Sequence, residues 1–379
     1  MLYKERNKTM ISIKHKYVKE MVMVILITII IILAPPEIKA EIGEFQIIDS
    51  NKMTDELSML ASVTKVNYEK IKTLQGKTSF EEMVIYRGAY AADLVKRHAG
   101  ITIKEPNEIA ELSEGKCEFK VDFVKNLFFK YMKLIKPMEY FDIDNGISYQ
   151  SVEGSSEMKK IITEKYEIES YPYTKKRDGT ILSRAADKRA RKHSEIITDD
   201  SDPRISFNLV IPVWELLLQF SEGLRSFNKG DINSFYNVVI EKAQTIKGIT
   251  YRIQFTEPGA SHPFETFVLD GEKGFNPTYI EVKNDEGIII SIIKTDFIKI
   301  EDIFLPSKRH VIQYDGNDGR LRREYKSTFT NLKVNMNLPE NTFSIKNLGL
   351  SDGDTFKDSV EGKQYRYQDA NLIPIKESE

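Results

Sequence analysis

The feature that most limits the fold of this chain is a hydrophobic pattern of period two. Cys117, Phe119, Val121 and Phe123 alternate with Glu118, Lys120 and Asp122, and Ile249, Tyr251, Ile253 and Phe255 alternate with Thr250, Arg252 and Gln254. Successive side chains of a strand point to opposite faces, so each run buries one face and leaves the other wet. Segments 83–91, 264–269, 279–282, 288–294, 310–314 and 320–334 read as further strands. Asp144-Asn145-Gly146, Asp270-Gly271, Asn284-Asp285-Glu286-Gly287 and Asp315-Gly316-Asn317-Asp318-Gly319 supply turns between them. Strands joined by tight turns imply an antiparallel sheet, and a long one curves around a helix or a cavity.

Ahead of the strands, Thr54-Asp55-Glu56-Leu57 has the hydroxyl cap and acidic first turn of a helix start. Leu57, Leu60, Ala61, Thr64, Tyr68, Ile71 and Leu74 follow at three- and four-residue spacing, which predicts one amphipathic helix ending near Gly76. Residues 171–248 differ from both patterns. Segment 175–193 holds eight Lys or Arg and two Asp on Ala-rich helical spacing, and an acidic stretch and the apolar run 213–220 follow. This region is expected as a helical insertion covering the sheet. Its basic part reads as a solvated helix face, or as a contact for anionic lipid headgroups or an acidic partner.

The N-terminus carries Lys4, Arg6, Lys8, Lys14, Lys16 and Lys19, then an apolar run from Met21 to Ala34, then Pro35-Pro36 and Ile38-Lys39-Ala40. That order is the one of a secretory signal peptide, and the run is short of the roughly 20 residues that span a bilayer. Residues 1–40 are expected as the signal, cleaved after Ala40 or kept as an N-terminal membrane anchor, with 41–379 as a single domain in the periplasm. Without the first forty residues the formal charge moves from -2 to -6. A weakly acidic chain lacks the basic face that displaces counterions from nucleic-acid phosphates. Cys117 is the one cysteine, which excludes an internal disulfide and any site built from several thiolates.

Catalytic patterns are absent at the level of sequence. No glycine-rich phosphate loop occurs, and Gly154-Ser155-Ser156 lacks the flanks of a nucleophile elbow. Cys117 sits in phase with apolar neighbours, as a buried thiol does. His98, His193, His262 and His310 show no helical metal spacing, and Asp315, Asn317 and Asp318 are out of register for a calcium loop. Neither a catalytic residue, a metal nor a cofactor is expected. Trp214, Leu217 and Leu218 read as core packing or as a hydrophobic lid over a cavity.

Several segments resemble the outer-membrane lipoprotein-sorting (LolA-like) family, to which the lipoprotein receptor LolB and the stress sensor RseB are similar in fold. They are the stretch Tyr68-Glu69-Lys70-Ile71-Lys72-Thr73-Leu74-Gln75-Gly76 leading into strands, Asp270-Gly271-Glu272-Lys273-Gly274-Phe275-Asn276-Pro277, Phe304-Leu305-Pro306-Ser307-Lys308 and Asn335-Met336-Asn337-Leu338-Pro339-Glu340-Asn341-Thr342-Phe343-Ser344. The tail from Leu348-Gly349-Leu350 to Tyr365 resembles that of long relatives. The likeness covers about 54–170 and 249–369, and the chain exceeds a typical carrier chiefly through 171–248. It implies an α+β, mainly antiparallel fold: an unclosed barrel of about ten strands wrapped around helices. It implies a non-catalytic lipid- or lipoprotein-binding carrier of the cell envelope, partnered by lipid or a lipid-modified protein. The alternatives are an envelope sensor or structural module that binds a protein, and a carboxylate-dependent hydrolase. Phe119, Val121, Phe123, Tyr251, Ile253 and Phe255 are then candidates for the apolar concave wall. Arg87 lies on an early strand suited to the arginine that latches the lid in such carriers.

Overall fold

In a computed structural model of the chain, the residues described are 44–102, 108–135, 138–150, 157–163, 165–171, 185–190, 216–218, 221, 237–246 and 248–375. The expected signal segment, Trp214 and His193 lie outside them.

The N-terminal half opens with β1 (Gln46–Ile47), α1 (Ser50–Glu69), β2 (Thr73–Arg87), α2 (Gly88–Ala99), β3 (Glu108–Asp122) and β4 (Leu127–Leu134). It continues with β5 (Glu139–Asp142), β6 (Ile147–Gln150), β7 (Glu157–Ile162), β8 (Tyr166–Tyr171) and β9 (Ala185–Ala190). The second half holds β10 (Asn237–Thr245), β11 (Gly248–Thr256), β12 (Glu265–Asp270), β13 (Asn276–Lys283), β14 (Ile289–Ile300), β15 (Ile303–Tyr314) and β16 (Leu321–Val334). A tail of β17 (Thr355–Asp358), β18 (Lys363–Gln368) and β19 (Asn371–Pro374) completes it.

These strands form one sheet. From β10 it runs through consecutive neighbours to β16, crosses to β2, and continues through β3, β4, β7, β8, β9, β17 and β18 to β19. β3 is long enough to serve two partners, β4 along one half and β5 along the other. All pairings are antiparallel except β9 with β17. Among the described residues the end strands β1 and β19 do not pair with each other, so the sheet is unclosed.

Register decides what shares a face, since directly opposed residues point the same way. Phe255 opposes Glu265, which opposes Val282, and the row continues through Ser291, Gln313, Arg323 and Val84 to Glu111. Two helices cover parts of this face. α1 is capped by Asp49, whose carboxylate accepts from Asn51 N–H at 3.0 Å. It lays Leu57, Leu60 and Ala61 on Ile240, Tyr251, Ile253, Phe255, Phe267, Leu269 and Ile280, all buried. Each large apolar side chain so buried contributes roughly 1.5–3 kcal/mol. α2 packs Ala91, Leu94, Val95 and Ala99 on Ile109 and Tyr140, at the opposite end of the face.

Several expectations need correction. The first helix stops at Glu69; Ile71 lies in the link to β2 and Leu74 inside β2, and both pack with Val121, Phe128, Ile303 and Leu305. The expected strand 83–91 is instead the end of β2, and Gly88 at φ +63° turns the chain into α2. Within the basic segment expected as helix, Ala185–Ala190 is a strand, because β8 and β17 complete its backbone hydrogen bonds on both edges. Asn237–Thr245, also inside the expected helical insertion, is a strand paired with β11. Nineteen strands are described rather than about ten, the surplus being short or belonging to the β5–β9 and β17–β19 extensions.

Candidate functional site

Between the parts covered by α1 and α2 the same face is indented. A cavity of about 490 Å³ is lined by residues of six neighbouring strands, β14, β15, β16, β2, β3 and β4. One cavity bounded by six consecutive strands requires the sheet to curl, which makes this its concave side. The volume falls in the roughly 300–1,000 Å³ range of small-molecule sites.

The lining is graded. At one end lie Phe119, Phe329, Met132 and Cys117, with Phe119 and Phe329 edge to face at 6.5 Å between centroids. Phe80 stacks on Tyr325 at 6.1 Å, beside Ile293 and Val311. At the other end are Gln313, Glu82 and Arg323, and Arg323 Nη2 meets Glu82 Oε1 at 2.6 Å. Beyond them Glu111 hydrogen-bonds Tyr86 and has its carboxyl pushed up, first by burial and then by Glu82. The same burial raises the Tyr86 phenol to about 12. Burial also lifts the Cys117 thiol to about 11, so at neutral pH it is an un-ionised core thiol rather than a nucleophile.

The floor of the groove is polar. Arg309 on β15 is opposed by Thr295 on β14 and Ser327 on β16. These residues are 6%, 6% and 4% exposed, respectively. Burial pulls the guanidinium down to about 10, which still leaves it cationic at neutral pH. Nothing in the sequence patterns singled out Arg309. The available signal was its phase: with Val311 it falls on the face of β15 that lines the groove.

The six candidate wall residues share this one face, but they divide between two cores. Tyr251, Ile253 and Phe255 are buried beneath α1. Val121 is fully buried in the cluster around Leu74 and Phe128, with Phe123 packed at its edge. Phe119 alone of the six lines the groove. Of the lid candidates, Leu217 is buried among the α1 contacts, and Leu218 is 37% exposed. Ser221 anchors the same segment to α1, its hydroxyl 2.5 Å from Ser58 Oγ and donating to Thr54 O at 3.2 Å. Arg87 sits at the end of β2, paired with Glu108 at 2.7 Å and donating to Leu321 O at 2.8 Å. Its place is on the rim of the sheet. His310 meets Glu324 at 2.8 Å, and His262 meets Asn284 O. Asp315 accepts from Asn317 N–H inside a hairpin turn. No helix among the described residues is long and apolar enough to cross a membrane.

No protein-family model matches the chain, and no curated protein matches it. Among solved structures, it is similar to a putative outer membrane lipoprotein-sorting protein domain from Vibrio parahaemolyticus, at 8% identity and TM-score 0.33, covering 78% of this chain and 99% of that one. A DUF1329 family protein from Desulfovibrio piger matches at 10% identity and TM-score 0.33, covering 78% and 98%. A LolA superfamily protein from Nitrosomonas europaea matches at 10% identity and TM-score 0.31, covering 76% and 97%. Two of these three names fall in the group that the sequence motifs resemble.

Proposed function

We propose that the chain is an exported, non-catalytic binding protein for a lipid or a lipid-modified protein, with an acyl chain held in the concave groove. The observation that supports this most directly is the groove itself. Phe119, Phe329, Phe80, Met132, Ile293 and Val311 offer an apolar wall within a cavity of about 490 Å³. Each methylene transferred from water to such a wall contributes about 0.8 kcal/mol, so a chain of a dozen carbons binds firmly without covalent chemistry. The charged N-terminal segment followed by an apolar run supports delivery to the periplasm.

Purification of the full chain from the envelope fraction of expressing cells, followed by solvent extraction and mass spectrometry, tests the reading. Near-stoichiometric acyl lipid is expected. Repeatedly empty protein that also takes up no added alkyl ligand overturns it.

A further inference from the structure

The groove combines its apolar wall with a charge that an acyl chain alone does not need. Arg309 lies at its floor, 6% exposed, directly opposite Ser327 on the neighbouring strand. The Ser327 hydroxyl is buried; among the described residues it makes no close hydrogen bond and only a loose one with the Tyr325 phenol. A buried donor left unmade costs about 1–3 kcal/mol, and a serine opening onto a groove avoids that cost when the ligand supplies an acceptor. The described lining residues include three cations, Arg309, Arg323 and Lys130, against one carboxylate, Glu82, which Arg323 already engages. A planar guanidinium presents its donors in a fork that matches carboxylate and phosphate oxygens.

We infer that the groove selects an anionic amphiphile, taking its carboxylate or phosphate against Arg309 and Ser327 while the alkyl chain lies along Phe119, Phe329 and Met132. This rests on the lipid-binding reading and specifies its ligand class. The head is placed inward, so chain length is limited by the apolar end of the groove and the recognised group is shielded from water. Shielding strengthens a charge-assisted hydrogen bond and makes the neutral analogue a poor substitute, because it leaves the site's polar groups unpaired.

Calorimetric titration of the full chain at pH 7 with dodecanoate, dodecyl phosphate, dodecanol and inorganic phosphate tests it. At that pH dodecanoate is ionised. Either anionic amphiphile is expected to bind at least about 10-fold more tightly than dodecanol. In Arg309→Met that ratio falls to near one. Equal binding of all three alkyl ligands to the unsubstituted protein overturns the inference and leaves the lipid-binding reading standing. Binding of none of them removes both. Inorganic phosphate binding as tightly as dodecyl phosphate makes this a free-anion site and overturns the amphiphile. Should Arg309→Met not fold, two serine variants decide: Ser327→Ala lowers the ratio several-fold, and Ser327→Asp, with its carboxylate beside the guanidinium, abolishes it. An unchanged ratio in both refutes the assignment.

Discussion

The ring of Phe80 occupies the space that a side chain on Gly115 would need. The two residues oppose each other on β2 and β3, and a Cβ on Gly115 would stand 2.4 Å from Phe80 Cζ and 3.0 Å from Lys133 O. Glycine here is what lets an aromatic ring lie across the sheet and form part of the groove wall. Gly115→Ala is expected to push Phe80 off its stack on Tyr325, lowering stability by about 1–3 kcal/mol. Urea unfolding measures the loss, and a shift in dodecanol affinity in the same variant reports the displaced ring. An alanine variant as stable as the parent would show that the ring has room elsewhere.

Asn67 fastens the end of α1 to the start of β15. Its Oδ1 accepts from Phe304 N–H at 2.8 Å and its Nδ2 donates to Phe304 O at 3.2 Å, with the residue 7% exposed. Asn67→Leu keeps the branching at Cγ but strands both backbone groups, at a cost of about 2–4 kcal/mol. Thermal unfolding with an unchanged far-ultraviolet spectrum would confirm a local loss. A cost below 0.5 kcal/mol would mean water replaces the amide.

Leu217 and Leu218 are expected to differ sharply although they are neighbours. Leu217→Ala removes a side chain packed among Leu57, Leu60 and Ile240, and should destabilise by about 2–5 kcal/mol. Leu218→Ala, partly in solvent, should stay within about 0.5 kcal/mol. Equal small effects would indicate a segment that rests loosely on α1.

Glu265 gives a pH dependence with a definite sign. It opposes Phe255 and Val282 on the concave face, and burial lifts its carboxyl to about 7. Unfolded, it ionises near its ordinary value of about 4.3. Between those two values the folded state holds a proton that the unfolded state has released, so this residue makes stability fall as pH rises through the window. Glu265→Gln should gain on the order of 1–3 kcal/mol over the parent at pH 8 and nothing at pH 4. A parallel pair of stability curves would disprove the burial effect.

The alternating strands were the legible part of the sequence. The run around Ile249–Phe255 lies within β11, and that around Cys117–Val121 lies within β3. Period two fixes the phase of a face from local information alone. It does not tell which length of that face a helix will cover, and so Tyr251 and Phe119 looked equivalent although one lies under α1 and the other lines the groove. The helix boundary at Glu69 was obscured because Tyr68, Ile71 and Leu74 keep helical spacing across a change of backbone. Ala185–Ala190 is illegible for a different reason. Its partner β17 lies far downstream, and alanines that favour a helix locally accept a strand when both edges are paired. Arg309 escapes notice because the alternation is legible only over 310–314, whereas β15 begins at Ile303.

The crossing of the sheet from β16 to β2 joins distant positions such as Glu82 and Arg323, separated by 241 residues. A ribosome must therefore release most of the polypeptide before that seam can zip. Until then the nascent chain carries two half-sheets whose bare edges invite pairing with strangers. A chain stopped short of Val334 lacks β16 or part of it, and so leaves that edge of β2 open to pairing with another chain.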